Sequence, residues 1–157
     1  MSFHEFSVNK INGEPQSLSA YRGQEALVVN TASACGFTPQ YAGLEKLWRD
    51  YQARGLVVLG FPSNDFGAQE PGSEAEIQTF CSRNFGVSFP LFSKVKTKGA
   101  GQSPLYAFLA AKNGAPQWNF HKYLVGKDGE VVAAFPSTTA PDDGKLRAAI
   151  DAALAAG

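Results

Sequence analysis

Two short apolar runs, residues 26–31 (Ala-Leu-Val-Val-Asn-Thr) and 56–61 (Leu-Val-Val-Leu-Gly-Phe), constrain this chain more than anything else in it. Neither alternates polar with apolar residues, so each reads as a strand buried on both faces, the habit of a parallel sheet. Between them Tyr41, Leu44, Leu47, Trp48 and Tyr51 recur at helical spacing, opened by an N-cap at Thr38 with Pro39 first in the helix, and stopped by Gly55. A strand, helix and strand joined so closely predict a right-handed βαβ unit.

The flanking segments extend that unit. Phe6, Val8 and Ile11 surround the turn-forming pair Asn12-Gly13, with Pro15 following, which predicts an N-terminal β-hairpin. After a polar loop over 63–72, Ser73 and Glu76 make a capping box for a helix whose Ile77, Phe80 and Cys81 share one face before Gly86. Ser103-Pro104 opens a third helix. Residues 118–125 and 130–135 read as antiparallel strands joined by Gly126-Lys127-Asp128-Gly129. A last helix follows Pro141-Asp142-Asp143 and would bury Leu146, Ala149, Ile150, Ala153 and Leu154. The order βαβ, a helical connection, then ββα predicts an α/β chain of thioredoxin-like fold, with a central mixed sheet flanked by helices and an N-terminal β-hairpin. A length of 157 residues predicts one domain, 1–157.

Composition narrows the chemistry. Lys plus Arg and Asp plus Glu are both 14, so no overall field favours nucleic acid or an anionic membrane. The longest apolar stretches, such as 56–59, are too short to cross a bilayer, and residues 1–14 contain no apolar secretion segment, so a cytoplasmic protein is expected. There Cys35 and Cys81 would stay reduced, and any use of them is reactive.

Cys35 falls just past the first central strand and just before a helix, where unpaired backbone N–H groups favour a thiolate. From placement alone, a small packed hydrophobe and a reactive thiol are equally good readings. In Cys35-Gly36-Phe37-Thr38 a threonine takes the second position of a dithiol motif, so no vicinal exchange centre can form. Separated Cys and His residues give no zinc spacing, and no metal or cofactor is expected. His121 lacks an evident orienting partner for a Cys–His nucleophile. An electrophile that needs little base assistance fits best, and a peroxide O–O bond is one.

Three segments then resemble a known family. Residues 30–38 (Asn-Thr-Ala-Ser-Ala-Cys-Gly-Phe-Thr), 60–72 (Gly-Phe-Pro-Ser-Asn-Asp-Phe-Gly-Ala-Gln-Glu-Pro-Gly) and 118–125 (Trp-Asn-Phe-His-Lys-Tyr-Leu-Val) are similar to the signatures of glutathione peroxidases, in the same order. The resemblance implies a thioredoxin-like peroxidase with Cys35 as nucleophile and Gln69, Trp118 and Asn119 as its polar surroundings. Neutral amide and indole N–H donors suit that task, since they stabilise developing oxygen charge without a fixed cation. A regular strand would point Trp118 and Asn119 to opposite faces, so both reach one sulfur only where the backbone is irregular.

On its own, Cys81 reads as a packed thiol of the second helix. The resemblance of residues 80–87 to the resolving segment of thioredoxin-dependent relatives instead implies a Cys35–Cys81 disulfide recycled by thioredoxin. Ser63 stands where many relatives carry another cysteine. A disulfide needs Cα atoms within about 7 Å, so the helix bearing Cys81 would have to unwind locally. The short 112–117 connection, where tetrameric relatives carry an insertion, implies a monomer with a site open to organic or lipid hydroperoxides as well as hydrogen peroxide. Lys94, Lys96, Lys98 and Lys122 could form a basic docking area for a reductase or for glutathione, although a solvated face is the commoner use of such residues. Three alternatives stay open: glutathione as direct reductant, a peroxide-sensing relay that passes its oxidation to a partner protein, and an inactive scaffold that keeps only the fold.

Overall fold

The computed structural model describes residues 2–156; Met1 and Gly157, the ends of the expected domain 1–157, lie outside the described residues. The N-terminal hairpin forms as β1 (Ser7–Asn9) and β2 (Pro15–Ser17), antiparallel, with Asn9 opposite Pro15. The two apolar runs become β3 (Glu25–Thr31) and β4 (Leu56–Pro62), parallel and in register from Glu25↔Leu56 to Thr31↔Pro62. Every residue of both strands is buried. The crossover between them is α1 (Gln40–Tyr51), whose stripe Tyr41, Leu44, Leu47 and Tyr51 is buried while Trp48 is half-buried.

The remaining elements are α2 (Glu74–Phe85), α3 (Pro104–Asn113), β5 (Lys122–Val125), β6 (Val131–Phe135) and α4 (Gly144–Ala156). Strand order in the larger sheet is β4-β3-β5-β6, with β5 antiparallel to both β3 and β6. Strand pleating sorts the core into two layers. Leu27, Val29, Val58 and Leu124 pack with α1, α2 and α4, the last through Leu146 and Ile150. Val28, Leu59, Phe61 and Tyr123 pack on the other face with Phe3, Leu18 and the α3 residues Leu105, Tyr106 and Leu109. Each fully buried leucine there contributes roughly 1.5–3 kcal/mol, so the sheet is rigid enough to hold a site at its edge. This is the mixed sheet flanked by helices that the element order predicts.

Two local expectations are corrected. The strand expected over 118–125 begins only at Lys122, because residues 118–121 form a turn in which Phe120 takes φ 65°. Asn30 holds that turn from β3: its Nδ2 donates to the Trp118 carbonyl at 3.0 Å, and its carbonyl accepts from the Phe120 N–H at 2.6 Å. The second correction concerns Thr38, which does not cap α1 with its side chain. The helix starts at Gln40, with Pro39 in the N-cap position, because the Thr38 hydroxyl is turned back toward the preceding loop.

Candidate active site

Cys35 sits in a series of tight turns between β3 and α1. Its backbone N–H donates to Thr38 Oγ1 at 2.9 Å, and that hydroxyl donates to the Ala32 carbonyl at 2.8 Å. Thr38 therefore ties the turn to the end of the sheet. The Phe37 N–H donates to Cys35 Sγ at 3.3 Å. Cys35 is 8% exposed, so the residue that carries this sulfur is almost enclosed by the fold.

The loop over 63–72 is laid against this turn by a bond from the Ala34 N–H to the Gln69 carbonyl, 3.1 Å. Two successive left-handed residues, Gly67 at φ 66° and Ala68 at φ 51°, bend the loop there. A Cβ on Gly67 would lie 3.0 Å from the Trp118 ring, so glycine lets the indole close on the turn. Ala68 carries about 1–2 kcal/mol of backbone strain in that conformation.

The 118–121 turn supplies the third side. Asn119 is wholly buried, and its Nδ2 donates to Gln69 Oε1 at 3.0 Å and to the Phe66 carbonyl at 3.4 Å. Trp118 is half-buried, with its ring 5.9 Å from that of Phe66, and packs, as Phe37 does, on the apolar cluster that contains Cys35. The positive φ at Phe120 makes the backbone irregular immediately after Trp118 and Asn119. Beside Phe37 and Trp118 opens a groove of about 560 Å³, also lined by Asn113, His121, Pro136 and Ser137. Burial, with help from the Lys122 charge, pushes the His121 imidazole down to about 4, so no group in this lining is ionised at neutral pH.

Cys81 is wholly buried on α2 and, like Cys35, is a free thiol. Burial pushes it up to about 11; the Tyr41 hydroxyl beside it lowers it, and the Glu70 carboxyl raises it further. Glu70 is itself buried, and its carboxyl is pushed above the usual range by that burial. Sequence reasoning missed Glu70, since a glutamate before Pro71-Gly72 in a polar loop reads as solvated. It also missed Asn30 and the anchoring use of Thr38.

The four lysines do not form one surface. Lys94 is half-buried and donates from Nζ to the Glu70 carbonyl at 3.0 Å. Lys96 and Lys98 are exposed, with Lys98 Nζ 4.6 Å from the centre of the Phe66 ring. Lys122 is wholly buried, which removes it from any docking area. Among the described residues, no group of three or more His, Cys, Asp or Glu could hold a metal ion, and no helix is long and apolar enough to cross a membrane.

A family model for glutathione peroxidase matches residues 3–110. The chain is 47% identical over 148 residues to the glutathione peroxidase of Lactococcus lactis subsp. cremoris, covering 91% of this chain and 94% of that protein. It is 45% identical over 153 residues to the hydroperoxy fatty acid reductase gpx1 of Synechocystis sp., covering 90% of each. The crystal structure of Trgpx in apo form matches with TM-score 0.81 at 35% identity, over 99% of this chain and 96% of that one. A thioredoxin-family thiol:disulfide interchange protein from Chlorobium tepidum matches with TM-score 0.71 at 16% identity, over 95% and 92%, and shares the fold alone. Agreement of that extent, over a fold that carries three separated motifs to one place, makes this chain a member of the glutathione peroxidase family.

Proposed function

We propose that this peroxidase reduces hydrogen peroxide and organic or lipid hydroperoxides through Cys35, with Cys81 as the resolving thiol and thioredoxin as the reductant. The Cys35 thiolate attacks the O–O bond, taking one oxygen as a sulfenic acid while the other leaves, protonated, as alcohol or water. Gln69, Trp118 and Asn119 offer N–H donors to the oxygen charge that develops. Cys81 then attacks the sulfenic sulfur, releasing water and forming a Cys35–Cys81 disulfide that a dithiol reduces by exchange. The observation that supports this reading is a chain of contacts leading away from the Cys35 turn: the Phe37 N–H on Sγ, the Ala34 N–H on the Gln69 carbonyl, and the Gln69 side chain bonded to Asn119. The uncharged groove beside Trp118 suits the hydrocarbon of an organic hydroperoxide. We place the protein in the cytoplasm as a monomer, where reduced thioredoxin is supplied.

Burial of Cys81 within a helix favours one competing route, in which a small thiol such as glutathione reaches the sulfenic acid before α2 opens. NADPH-coupled peroxide consumption separates the two. Cys35→Ser is expected to abolish turnover with either reductant, and Cys81→Ser to remove turnover with thioredoxin. Full thioredoxin-supported turnover without Cys81 overturns the resolving role.

A further inference from the structure

We infer that Lys122 is a positioning residue for the peroxidatic centre: from inside the protein it holds the turn that carries Trp118 and Asn119. Its side chain is wholly buried, and Nζ donates to the Phe120 carbonyl at 2.7 Å and to Gln40 Oε1 at 2.8 Å. Gln40 is anchored in turn, donating from Nε2 to the Ser137 carbonyl at 2.8 Å. One amine thus joins the first residue of α1, the segment after β6 and the left-handed residue of the site turn.

The energetics point to a specific use. A lysine amine inside a fold is expensive unless paired, and no carboxylate forms an ion pair with Lys122 among the described residues. Its partners are two neutral oxygens. A neutral amine can still donate two hydrogens, so the grip on the turn persists when the group loses its charge, which burial makes easy by pushing it down to about 7. His121, which feels its charge, is itself uncharged at that pH. What the amine secures is geometry. Phe120 is held by Asn30 on the N–H side and by Lys122 on the carbonyl side, and both bonds support a φ that a phenylalanine rarely adopts. If the turn relaxes, Asn119 loses its alignment with Gln69 and the donors around Cys35 separate. A misplacement of about 1 Å costs up to about 100-fold in rate.

The inference rests on the reading of Cys35 as the peroxidatic thiol, and the test keeps the two apart. Oxidation of Cys35 in the parent by hydrogen peroxide, followed by rapid mixing, tests that reading alone; the variants test Lys122. Lys122→Met keeps the volume and removes both hydrogen bonds. It is expected to slow Cys35 oxidation at least about ten-fold in the parent, and to add little in an Asn119→Ala background, where the turn has nothing left to place. Gln40→Leu, which removes one of the two bonds at a half-buried position, carries the same cycle with a smaller loss should Lys122→Met fail to fold. Parent-like oxidation in both single variants, or an equal loss with and without Asn119, overturns the positioning role.

Discussion

Asn119 Nδ2 donates to Gln69 Oε1 across fifty positions of sequence, and this bond decides which end of the Gln69 amide is free. With the oxygen engaged, the Nε2 hydrogens remain for a guest oxygen or for the thiolate. Gln69→Glu keeps an acceptor for Asn119, removes the donor and adds negative charge beside the Cys35 turn. Oxidation of Cys35 by hydrogen peroxide is expected to slow about 100-fold or more in this variant, with its far-ultraviolet circular dichroism unchanged. Parent-like oxidation kinetics would show that the Gln69 donor takes no part.

The hydroxyl of Thr38 serves two backbone groups at once, accepting from the Cys35 N–H and donating to the Ala32 carbonyl. Thr38→Val preserves shape and strands both groups, at a cost of about 1–3 kcal/mol. The expected result is a lower urea midpoint together with slower peroxide oxidation of Cys35. Thr38→Ser, which keeps the hydroxyl, should recover most of both. Equal losses in the valine and serine variants would place the effect in packing.

Most of the architecture was legible because its signals are periodic or local. Runs without alternation marked β3 and β4, the spacing from Tyr41 to Tyr51 marked α1, and the Ser73–Glu76 capping box with Gly86 marked both ends of α2. Long-range hydrogen bonds leave no such trace. Residues 118–121 have strand-like composition, and only the clasp from Asn30 in β3 makes them a turn. Lys122 looked like surface charge for the same reason, since its acceptors Gln40 and Phe120 come together only in the folded sheet. At the site, motif resemblance named Gln69, Trp118 and Asn119, and spacing alone would have left each of them an ordinary loop or core residue.

Cys81 and the end of its helix are coupled through one carbonyl. The Cys81 carbonyl accepts from the Val87 N–H at 3.2 Å as the chain leaves α2 through Gly86, which takes φ 59°. Alanine in that left-handed conformation costs about 1 kcal/mol, which raises the open fraction of the helix end about five-fold. Gly86→Ala should therefore speed iodoacetamide labelling of Cys81 in the native protein and speed the appearance of the Cys35–Cys81 disulfide after peroxide, both read by mass spectrometry. Faster labelling with an unchanged rate of disulfide formation would mean that helix opening does not limit resolution.

Glu25 begins β3 wholly buried, with neither carboxylate oxygen hydrogen-bonded among the described residues. Burial pushes its carboxyl up to about 8; Lys127 and Arg54 pull it down and Asp151 pushes it up. The unfolded chain releases that proton near the ordinary value of 4.5, while the folded chain keeps it to about 8, so between these values the folded state binds more protons. Stability from this group is complete below the ordinary carboxylate range and declines as pH rises through about 8. Glu25→Gln, uncharged throughout, should match the parent at the acid end, lose this decline, become the more stable protein once pH passes the ordinary carboxylate value of 4.5, and reach its full advantage above about 8. Urea midpoints measured for both proteins across that range check the sign. Lys122, whose amine is depressed, contributes the opposite slope above about 7 in both proteins, and so cancels in the difference between them. Parallel curves for parent and variant would mean that Glu25 is ionised in the folded state, with water or a neighbouring cation satisfying it.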